Sequence, residues 1–339
     1  MRPAFEPSPG QAMQQAMDVI RAVALTIAAV SALAAILSLG GAFNIYLDIL
    51  THLAPAWLAM ALLAITLQAL AGLGGARVVM GLSAVSIVIC VALMAPELIA
   101  RLTAPRFAAG GQTIKIIQFN VWDQNRDPAA TARWILDQDA DIVVLEEAGG
   151  GVLARVAPGY PYQTKCDKAA QRCPTTIVSK MAPSDGGQLI WPGIGLRHMG
   201  AWATFGAGPQ AFTVVGTHYR WPEPLANQRE QSQRLAKVLT RFDGPNLIVA
   251  GDFNLTPWSF RLRRQDASFG LARLTHAIFT FPAGQIAHWG MTFPFPLLPI
   301  DQIYAGSNWR PVSVARGQAV GSDHYPIVAV LTRQLPASR

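Results

Sequence analysis

The sequence predicts an α/β domain preceded by three membrane-spanning helices, and two observations lead to this fold class. Three long, nearly uncharged apolar runs occupy the first hundred residues. From Thr113 onward, short apolar segments typical of buried strands alternate with segments of helical periodicity, which is the pattern of one layered α/β domain. We therefore divide the chain into a membrane region, residues 1–104, and a second domain, residues 105–339.

The charge distribution follows the same division. Of 27 basic and 20 acidic residues, only four of each lie before residue 104, so the formal net charge of +7 belongs to the second domain. A basic domain favours anionic partners such as nucleic acid, phosphorylated metabolites or lipid headgroups. The sequence has no dense run of lysine and arginine that would single out DNA.

Residues 1–18 are polar and contain three prolines, and we expect them to form a flexible lead-in. The apolar runs follow at Ala22–Phe43, Leu53–Leu73 and Val78–Ala95. The length of each run is close to the span of about 20 residues that a membrane-crossing helix needs. Three such runs in succession argue against a cleaved signal peptide followed by buried helices. Because none carries an ionisable residue at mid-span, we expect an anchor in the lipid bilayer and not a polar transport pathway.

The basic residues that flank these runs predict the orientation in the membrane. Arg2 and Arg21 precede the first run and Arg77 lies between the second and third, whereas residues 44–52 carry no Lys or Arg. The positive-inside rule then places the N-terminus in the cytoplasm and, after an odd number of spans, the second domain on the opposite side of the membrane. Two arginines just after the third run act against this orientation.

The cysteines agree with an extracytoplasmic second domain. Cys166 and Cys173 lie seven residues apart in a polar segment, with no second cysteine pair or histidine pair at zinc spacing. Outside the cytoplasm a local disulfide between them is expected, since such bonds persist there. In the cytoplasm they would be two unrelated thiols. We favour the disulfide because it matches the predicted orientation.

The elements of the second domain follow from its apolar runs. Helices are predicted at Pro128–Asp137 and at Gln228–Phe242, the second of which carries leucines and a valine at helical spacing. Strands are predicted at Ile114–Val121, Ile142–Leu145, Thr175–Val178, Ala201–Phe205, Phe212–Thr217, Leu247–Ala250, Gln302–Tyr304 and Ile327–Leu331.

Polar side chains stand at the ends of six of these strands. They are Asn120, Glu146 with Glu147, His218, Asp252 with Asn254, Asp301, and Asp323 with His324. Any one of them has an ordinary explanation as a turn or capping residue. The recurrence predicts a functional site, because function in layered α/β folds concentrates on loops at one end of a rigid sheet.

These residues resemble, in the same order, the motifs of the metal-dependent endonuclease/exonuclease/phosphatase superfamily. The matching pieces are F-N at 119–120, a strand ending in Glu147, T-H at 217–218, G-D-F-N at 251–254, I-D at 300–301 and S-D-H at 322–324. The resemblance covers residues 113–333, and together with the apolar runs it points to the family's bacterial membrane-anchored branch. It implies a four-layer α/β sandwich, two packed β-sheets flanked by helices, and phosphoester hydrolysis with Mg²⁺ or Mn²⁺.

The resemblance also implies residue roles. Asn120 and Glu147 would hold the cation, with Glu147 the principal ligand, and Asp323 would be a further metal-binding or histidine-orienting carboxylate. The catalytic positions would be those of His218, Asp252, Asn254, Asp301 and His324.

Each catalytic position has an expected task. Asp252 would orient or deprotonate the attacking water, and Asn254 would hold the phosphate. His324, polarised by Asp301, would face the phosphate. His218 would contact the phosphate or assist the leaving group.

Two departures from the family's pattern affect the interpretation. Glu146 stands where a glutamine is usual, and Gln302 where an aromatic residue or histidine often follows I-D. One hypothesis is a phosphoester hydrolase acting on nucleic acid, phospholipid headgroups or small phosphate esters. The alternative is a non-catalytic, membrane-anchored domain that binds a ligand or partner. We favour the hydrolase because every ionisable group that the chemistry needs is present.

Overall fold

The computed structural model describes residues 8–72, 74–105, 107–108, 112–149, 151–164, 175–189, 200–222, 225–286 and 291–334. The chain forms two compact units. Unit 1 comprises Met1–Pro96 and Trp258–Arg261, and unit 2 comprises Glu97–Pro257 and Leu262–Arg339. The predicted disulfide between Cys166 and Cys173 lies outside the described residues.

Unit 1 is built from apolar helices: α1 (Pro9–Leu39), α2 (Ile45–His52), α3 (Ala54–Leu70) and most of α4 (Ala76–Thr103). Helices α1 and α4 are long and apolar enough to cross a membrane. Helices α2 and α3 meet at an angle of 59° and count as a third span only if the bent pair is taken as one.

The beginning of α1 corrects the expectation of a flexible lead-in over residues 1–18 for residues 9–18; residues 1–7 lie outside the described part of the chain. The helix already starts at Pro9, because Ser8 and Gln11 form a reciprocal capping box. Such a box satisfies two backbone N–H groups that a helix start leaves free. The link at residues 44–52 is also helical, and its Asp48 accepts hydrogen bonds from the backbone N–H groups of Phe260 and Arg261 in the same unit.

The helices of unit 1 contact one another through small residues. Ala24, Ala28 and Ala64 are fully buried, together with Val79. Large apolar side chains face outward instead, and 58% of Leu33 and 67% of Val88 are exposed. Small residues at helix contacts and apolar residues outside are the pattern of helices packed in lipid.

Unit 2 alternates strands and helices. Its helices are α5 (Pro128–Asp137), α6 (Val152–Val156), α7 (Leu225–Leu239) and most of α8 (Phe260–Phe269). Its strands are β1 (Thr113–Asn120), β2 (Ile142–Glu146), β3 (Tyr162–Gln163), β4 (Thr175–Ser179), β5 (Pro183–Leu189), β6 (Gly200–Phe205), β7 (Phe212–His218), β8 (Leu247–Asp252), β9 (Ala272–Arg273), β10 (Gln285–Ile286), β11 (Met291–Thr292), β12 (Asp301–Ala305), β13 (Trp309–Arg316) and β14 (Ile327–Arg333).

Twelve of these strands form two six-stranded mixed sheets. The first has the order β13-β14-β1-β2-β4-β3 and the second the order β5-β6-β7-β8-β12-β9. Each contains one parallel pair, β1 with β2 and β7 with β8, and its other pairs are antiparallel. Strands β10 and β11 form a separate hairpin.

Among the described residues, three apolar cores hold the sheets and helices of unit 2 together. The central core joins the facing sides of the sheets, with Ile116 and Val144 from the first and Val214 and Ile248 from the second. A second core packs α5 and α6 on the outer side of the first sheet. A third packs α7 and α8 on the outer side of the second. Unit 2 is therefore a helix–sheet–sheet–helix sandwich, as the resemblance implied.

Most predicted elements are confirmed within two residues. Helix α5 has the predicted bounds, whereas α7 begins and ends three residues earlier than predicted. Strands β5 and β13 were not predicted. Strand β5 reads P-S-D-G-G-Q-L and has no apolar run, and β13 contains Pro311 beside a register shift. Both lie at sheet edges, where a strand needs fewer buried side chains.

Candidate active site

The strand registers bring the predicted polar residues together at one end of the two sheets. Asp252, at the end of β8, pairs with His218 at the end of β7 and with Asp301 at the start of β12. In the other sheet, Asn120 at the end of β1 pairs with Glu146 at the end of β2. The central core holds the two sheets face to face, so the two sets of strand ends meet.

Asp252 is the centre of this cluster and is almost fully buried. Its Oδ2 accepts from Asn120 Nδ2 at 3.1 Å, across the gap between the sheets. The same oxygen lies 3.7 Å from His218 Nε2 and 3.7 Å from His324 Nε2. Its Oδ1 accepts from the backbone N–H of Asn254 at 2.9 Å. One carboxylate therefore faces two imidazoles and two amides.

The environment of Asp252 disfavours its charged form. Burial, followed by the nearby Asp301 carboxylate, raises the pKa of Asp252 to about 6, although His324 and His218 act in the opposite direction. A carboxylate whose pKa lies near neutrality is suited to accept and return a proton. The position of Asp252 thus fits a general base.

Asn254 and Glu147 owe their directions to an unusual backbone conformation. Their φ angles are +49° and +50°, in the left-handed region. Such conformations in residues other than glycine cost energy and concentrate at functional sites. The turn directs the Asn254 amide back toward the cluster, where its Nδ2 donates to the Tyr219 carbonyl at 2.8 Å and to Asp252 at 3.3 Å.

Asp301 and His324 form a buried pair. Asp301 Oδ2 lies 2.8 Å from His324 Nδ1, so the ring donates from Nδ1 and turns Nε2 toward Asp252. Burial acts to lower the pKa of His324, but the Asp301 and Asp252 carboxylates outweigh it and hold the pKa well above its ordinary value. The ring of Phe281 packs against the imidazole, with centroids 4.9 Å apart.

Glu147 is more accessible than Asp252 and Asp301, with 30% of its side chain exposed. Its Oε1 accepts from Asn120 Nδ2 at 3.2 Å and lies 3.6 Å from His218 Nε2, and its Oε2 accepts from the Asp123 N–H at 3.2 Å. Burial acts to raise the pKa of Glu147, but His218, Asn120 and the Asp123 N–H hold it below its ordinary value. Glu147 is thus a charged carboxylate open to a ligand.

Two donor sets can hold a divalent cation. Asp252, Asp301 and His324 offer ligand atoms that all lie within 4.8 Å of one another. The second set is Glu147 with Asn120, beside Asp252; the Asn120 amide here directs its Nδ2 at both carboxylates while its Oδ1 accepts from the Trp122 N–H, so Glu147 supplies the directly available oxygens. Mg²⁺ takes oxygen ligands and keeps several waters, so it suits an accessible carboxylate. The second set therefore fits Mg²⁺ better, because in the first set Asp301 and His324 already bind each other.

Asp323 lies in the loop before β14, between Ser322 and His324. Burial raises the pKa of its carboxyl group. Among the described residues its Oδ1 has no hydrogen-bond partner. The preceding Ser322 ties this loop to the first sheet, because its Oγ donates to the Asn120 carbonyl at 2.7 Å and accepts from the His324 N–H at 3.0 Å.

Gln118 is a site residue that the sequence did not reveal. It is fully buried, and its Nε2 donates both to Glu146 Oε2 at 2.9 Å and to Asp301 Oδ1 at 2.8 Å. Burial, followed by Asp301 and Asp252, raises the pKa of Glu146 well above its ordinary value. Glu146 is therefore part of the support behind Asp301. The only signal in the sequence was a polar residue inside the apolar run I-I-Q-F.

Comparison with known proteins agrees with this geometry. The model of the Endonuclease/Exonuclease/phosphatase family matches residues 117–324. The matched region begins inside β1 and ends at His324, and it contains all eight predicted site residues. No curated protein matches this chain.

Solved structures share the fold at low sequence identity. Beta toxin from Staphylococcus aureus is 18% identical with a TM-score of 0.51, and the match covers 64% of this chain and 99% of that one. A variant of the same toxin with bound magnesium ions is 16% identical with a TM-score of 0.51, at 64% and 99% coverage. A conserved protein of unknown function from Enterococcus faecalis is 15% identical with a TM-score of 0.52, at 65% and 100% coverage.

Proposed function

Since this chain belongs to the endonuclease/exonuclease/phosphatase family, we propose that it is a membrane-anchored, Mg²⁺- or Mn²⁺-dependent phosphoester hydrolase. The observation that carries the proposal is the position of Asp252. Its buried carboxylate lies between Asn120, His218, Asn254 and His324. This arrangement places a base, hydrogen-bond donors and the His324 imidazolium around one small volume, as the hydrolysis of an anionic ester requires.

The cation would be held by Glu147 and Asn120, with Asp323 as a further carboxylate. When bound, such an ion neutralises phosphate charge and provides a nucleophilic water near neutral pH. The accessibility of Glu147 supports this assignment, as does the unpartnered Oδ1 of Asp323 among the described residues. The magnesium ions of the beta toxin variant support the choice of metal.

Asp252 would accept the proton of the attacking water. Its pKa of about 6 leaves it mostly ionised at pH 7 and still basic enough to act. Asn254 would bind the phosphate with the amide hydrogen that otherwise points at Asp252. Its left-handed backbone fixes that direction before the substrate binds.

His324 would stabilise the charge that develops on the phosphate. With Asp301 on Nδ1, the imidazolium is held in one orientation and directs its Nε2–H into the cluster. A fixed cation of this kind acts most strongly in a buried site, where solvent does not compete. His218, with 17% of its side chain exposed, would contact the phosphate or the leaving group.

The helices of unit 1 would anchor the hydrolase in a bilayer. Helices α1 and α4 and the bent pair α2–α3 would give three spans. The outward-facing apolar side chains, such as Leu33 and Val88, support burial in lipid. The arginine distribution supports a bacterial inner membrane with the hydrolase domain in the periplasm.

A side-by-side assay tests this proposal. The purified chain is incubated with plasmid DNA, phospholipid vesicles and a chromogenic phosphodiester, each with Mg²⁺ and with EDTA. We expect hydrolysis of at least one substrate with Mg²⁺ and none with EDTA. Metal-dependent protection from unfolding without any hydrolysis would contradict the proposal and favour a non-catalytic binding domain.

A further inference from the structure

A second pocket lies in unit 2, beside the C-terminal end of α4. Its volume is about 800 Å³. Its walls come from the segment Ala272–Leu274 with His276, from residues 309–315 of the edge strand β13, and from the end of α4 and the residues after it, namely Ala100, Arg101, Thr103, Ala104, Pro105 and Phe107. None of these residues belongs to the candidate active site. Pockets of about 300–1,000 Å³ are typical of sites for small molecules and cofactors.

The walls of this pocket are mainly apolar, but two arginines enter it. The half-buried Arg101 donates to the Val314 carbonyl at 3.3 Å. The half-buried Arg310 donates to the carbonyl oxygens of Ser307 and Trp309, and its guanidinium lies 5.7 Å from the centre of the Phe107 ring. Among the described residues, no carboxylate forms an ion pair with either guanidinium. The pocket therefore has excess positive charge beside apolar walls.

A buried ion network fixes one wall. Arg273 forms two hydrogen bonds with Glu97, at 2.6 and 2.9 Å, and its Nε donates to both carboxylate oxygens of Asp266, at 3.1 and 3.3 Å. Tyr304 donates to the same Asp266 at 2.7 Å. The charge of Arg273 is thus neutralised, and this residue only fixes the geometry of the wall. The guanidinium groups of Arg101 and Arg310 can pair with an anionic ligand. A wall that is rigid before binding reduces the entropy lost on binding.

The opposite face of the same helix end is apolar and exposed. Leu98, Ile99 and Leu102 are 57%, 58% and 76% exposed. Leu102 follows Leu98 by four positions and Ile99 by three, so these side chains share one side of α4, while Ala100 and Arg101 line the pocket. Helix α4 is also apolar enough to span a membrane. The charged pocket is therefore adjacent to a surface that suits hydrocarbon chains.

We propose that this pocket binds an anionic glycerophospholipid. The phosphate pairs with Arg101 and Arg310, and the acyl chains follow the pocket's apolar wall and the exposed side of α4. Guanidinium groups suit this role because they bind phosphate through paired, charge-assisted hydrogen bonds. The inference rests on the proposed membrane anchoring but does not depend on hydrolysis at Asp252.

Lipid binding is measured on the full-length chain carrying Asp252→Asn, in neutral detergent with EDTA, so that the probe is not hydrolysed. The probe is phosphatidylglycerol with a fluorophore on one acyl chain, followed by anisotropy. Unlabelled phosphatidylglycerol, phosphatidylcholine, glycerol phosphate and inorganic phosphate compete with it. We expect displacement by phosphatidylglycerol, and much weaker displacement by phosphatidylcholine and by the two soluble phosphates.

Variants assign the binding to this pocket. Arg101→Gln with Arg310→Gln should raise the half-saturating concentration about tenfold or more, since two charge-assisted bonds are lost. Ser313→Trp, at an exposed position of the pocket rim, should also weaken binding by filling the space. The control Arg133→Gln with Arg155→Gln removes two exposed charges elsewhere. It should change the half-saturating lipid concentration less than about twofold.

Three results would overturn the inference. If phosphatidylcholine displaced the probe as well as phosphatidylglycerol does, the charge of the headgroup would have no role in binding. If both pocket variants bound the probe as the parent chain does, the lipid would bind at another site. Equal displacement by a soluble phosphate would assign the pocket to a soluble anion. Turnover of the wild-type chain is measured separately, so a failure of the proposed hydrolysis leaves this binding result interpretable.

Discussion

At the scale of single residues, the buried carboxylate of Asp252 lowers the stability of the folded protein near neutral pH, at the position where we propose the general base. Its carboxylate is buried next to Asp301, and both effects raise its pKa from the ordinary value of 3.8 to about 6. In the unfolded chain the same group ionises at its ordinary pKa. Above about pH 6, the folded protein therefore holds a charge that the unfolded chain accommodates more easily. The stability cost appears as the pH rises from about 4 to 6.

Replacement of Asp252 by asparagine should therefore stabilise the metal-free protein. In EDTA at pH 7.5, we expect Asp252→Asn to raise the free energy of unfolding by up to about 3 kcal/mol, since each pKa unit corresponds to about 1.4 kcal/mol. Near pH 4 the difference should vanish, because the native carboxyl is then protonated. Thermal unfolding at both pH values measures this. Destabilisation at pH 7.5 would contradict the assigned pKa shift.

Gln118 offers a second test at this scale. Gln118→Met keeps the shape of the side chain but removes the two hydrogen bonds to Asp301 and Glu146. We expect kcat to fall at least about tenfold with little change in KM, because Asp301 then holds His324 less firmly. The pKa of His324, followed by NMR, should also change. The exposed Gln318→Met is the control, and unchanged kcat and His324 pKa in Gln118→Met would refute this role.

The sequence could predict the residues at strand ends but not Gln118. Asp252, Asn254 and His218 follow apolar runs directly, so their position relative to a sheet can be read from the chain. Gln118 lies inside a strand, and its partner Asp301 belongs to the other sheet. A contact between two sheets depends on their packing, which no local pattern specifies.

At the scale of elements, the close approach of β7 and β8 aligns His218 with Asp252. Gly251 makes this approach possible: a Cβ atom there would lie 1.8 Å from the Thr217 carbonyl oxygen. The backbone itself would have to move to relieve that contact. The register that pairs His218 with Asp252, and Asp252 with Asp301, depends on the same strand.

Gly251→Ala should therefore damage both stability and activity. We expect a loss of about 1–3 kcal/mol or more in the free energy of unfolding, as for other overpacked positions, together with a fall in phosphodiester turnover. Gly244→Ala is a matched control, because a Cβ atom at Gly244 meets nothing within 4 Å. Denaturant unfolding and turnover are measured on both. Equal stability of the two variants would show that the strands tolerate a wider separation.

The elements that the sequence predicted well are those with buried apolar runs. Strand β2 and helix α5 have such runs, and both were placed within one residue. Strands β5 and β13 are edge strands with exposed or half-buried residues, so their hydrogen bonds to a neighbour, and not their composition, define them. Helix α1 exceeds its apolar run because the Ser8 capping box extends it.

At the scale of the whole molecule, the proposed membrane anchoring by the helices of unit 1 would determine on which side of the membrane the second domain lies. A C-terminal fusion to alkaline phosphatase, which matures only outside the cytoplasm, tests the proposed orientation in a bacterial host. We expect phosphatase activity, because three spans with a cytoplasmic N-terminus export the C-terminus. A matched fusion to green fluorescent protein should be dark. The reverse result would place the domain in the cytoplasm and remove the basis for the Cys166–Cys173 disulfide.

The central claim is that the cluster around Asp252 is a metal-dependent hydrolytic site, and turnover of a chromogenic phosphodiester by the full-length chain tests it most directly. Wild type and the Asp252→Asn variant are compared with Mg²⁺, and Asp185→Asn, at an exposed strand position, is the control. We predict that Asp252→Asn lowers kcat by about 10²- to 10⁴-fold, while Asp185→Asn matches wild type. If the Asp252→Asn variant kept the kcat of wild type, the hydrolysis would have to take place at another site.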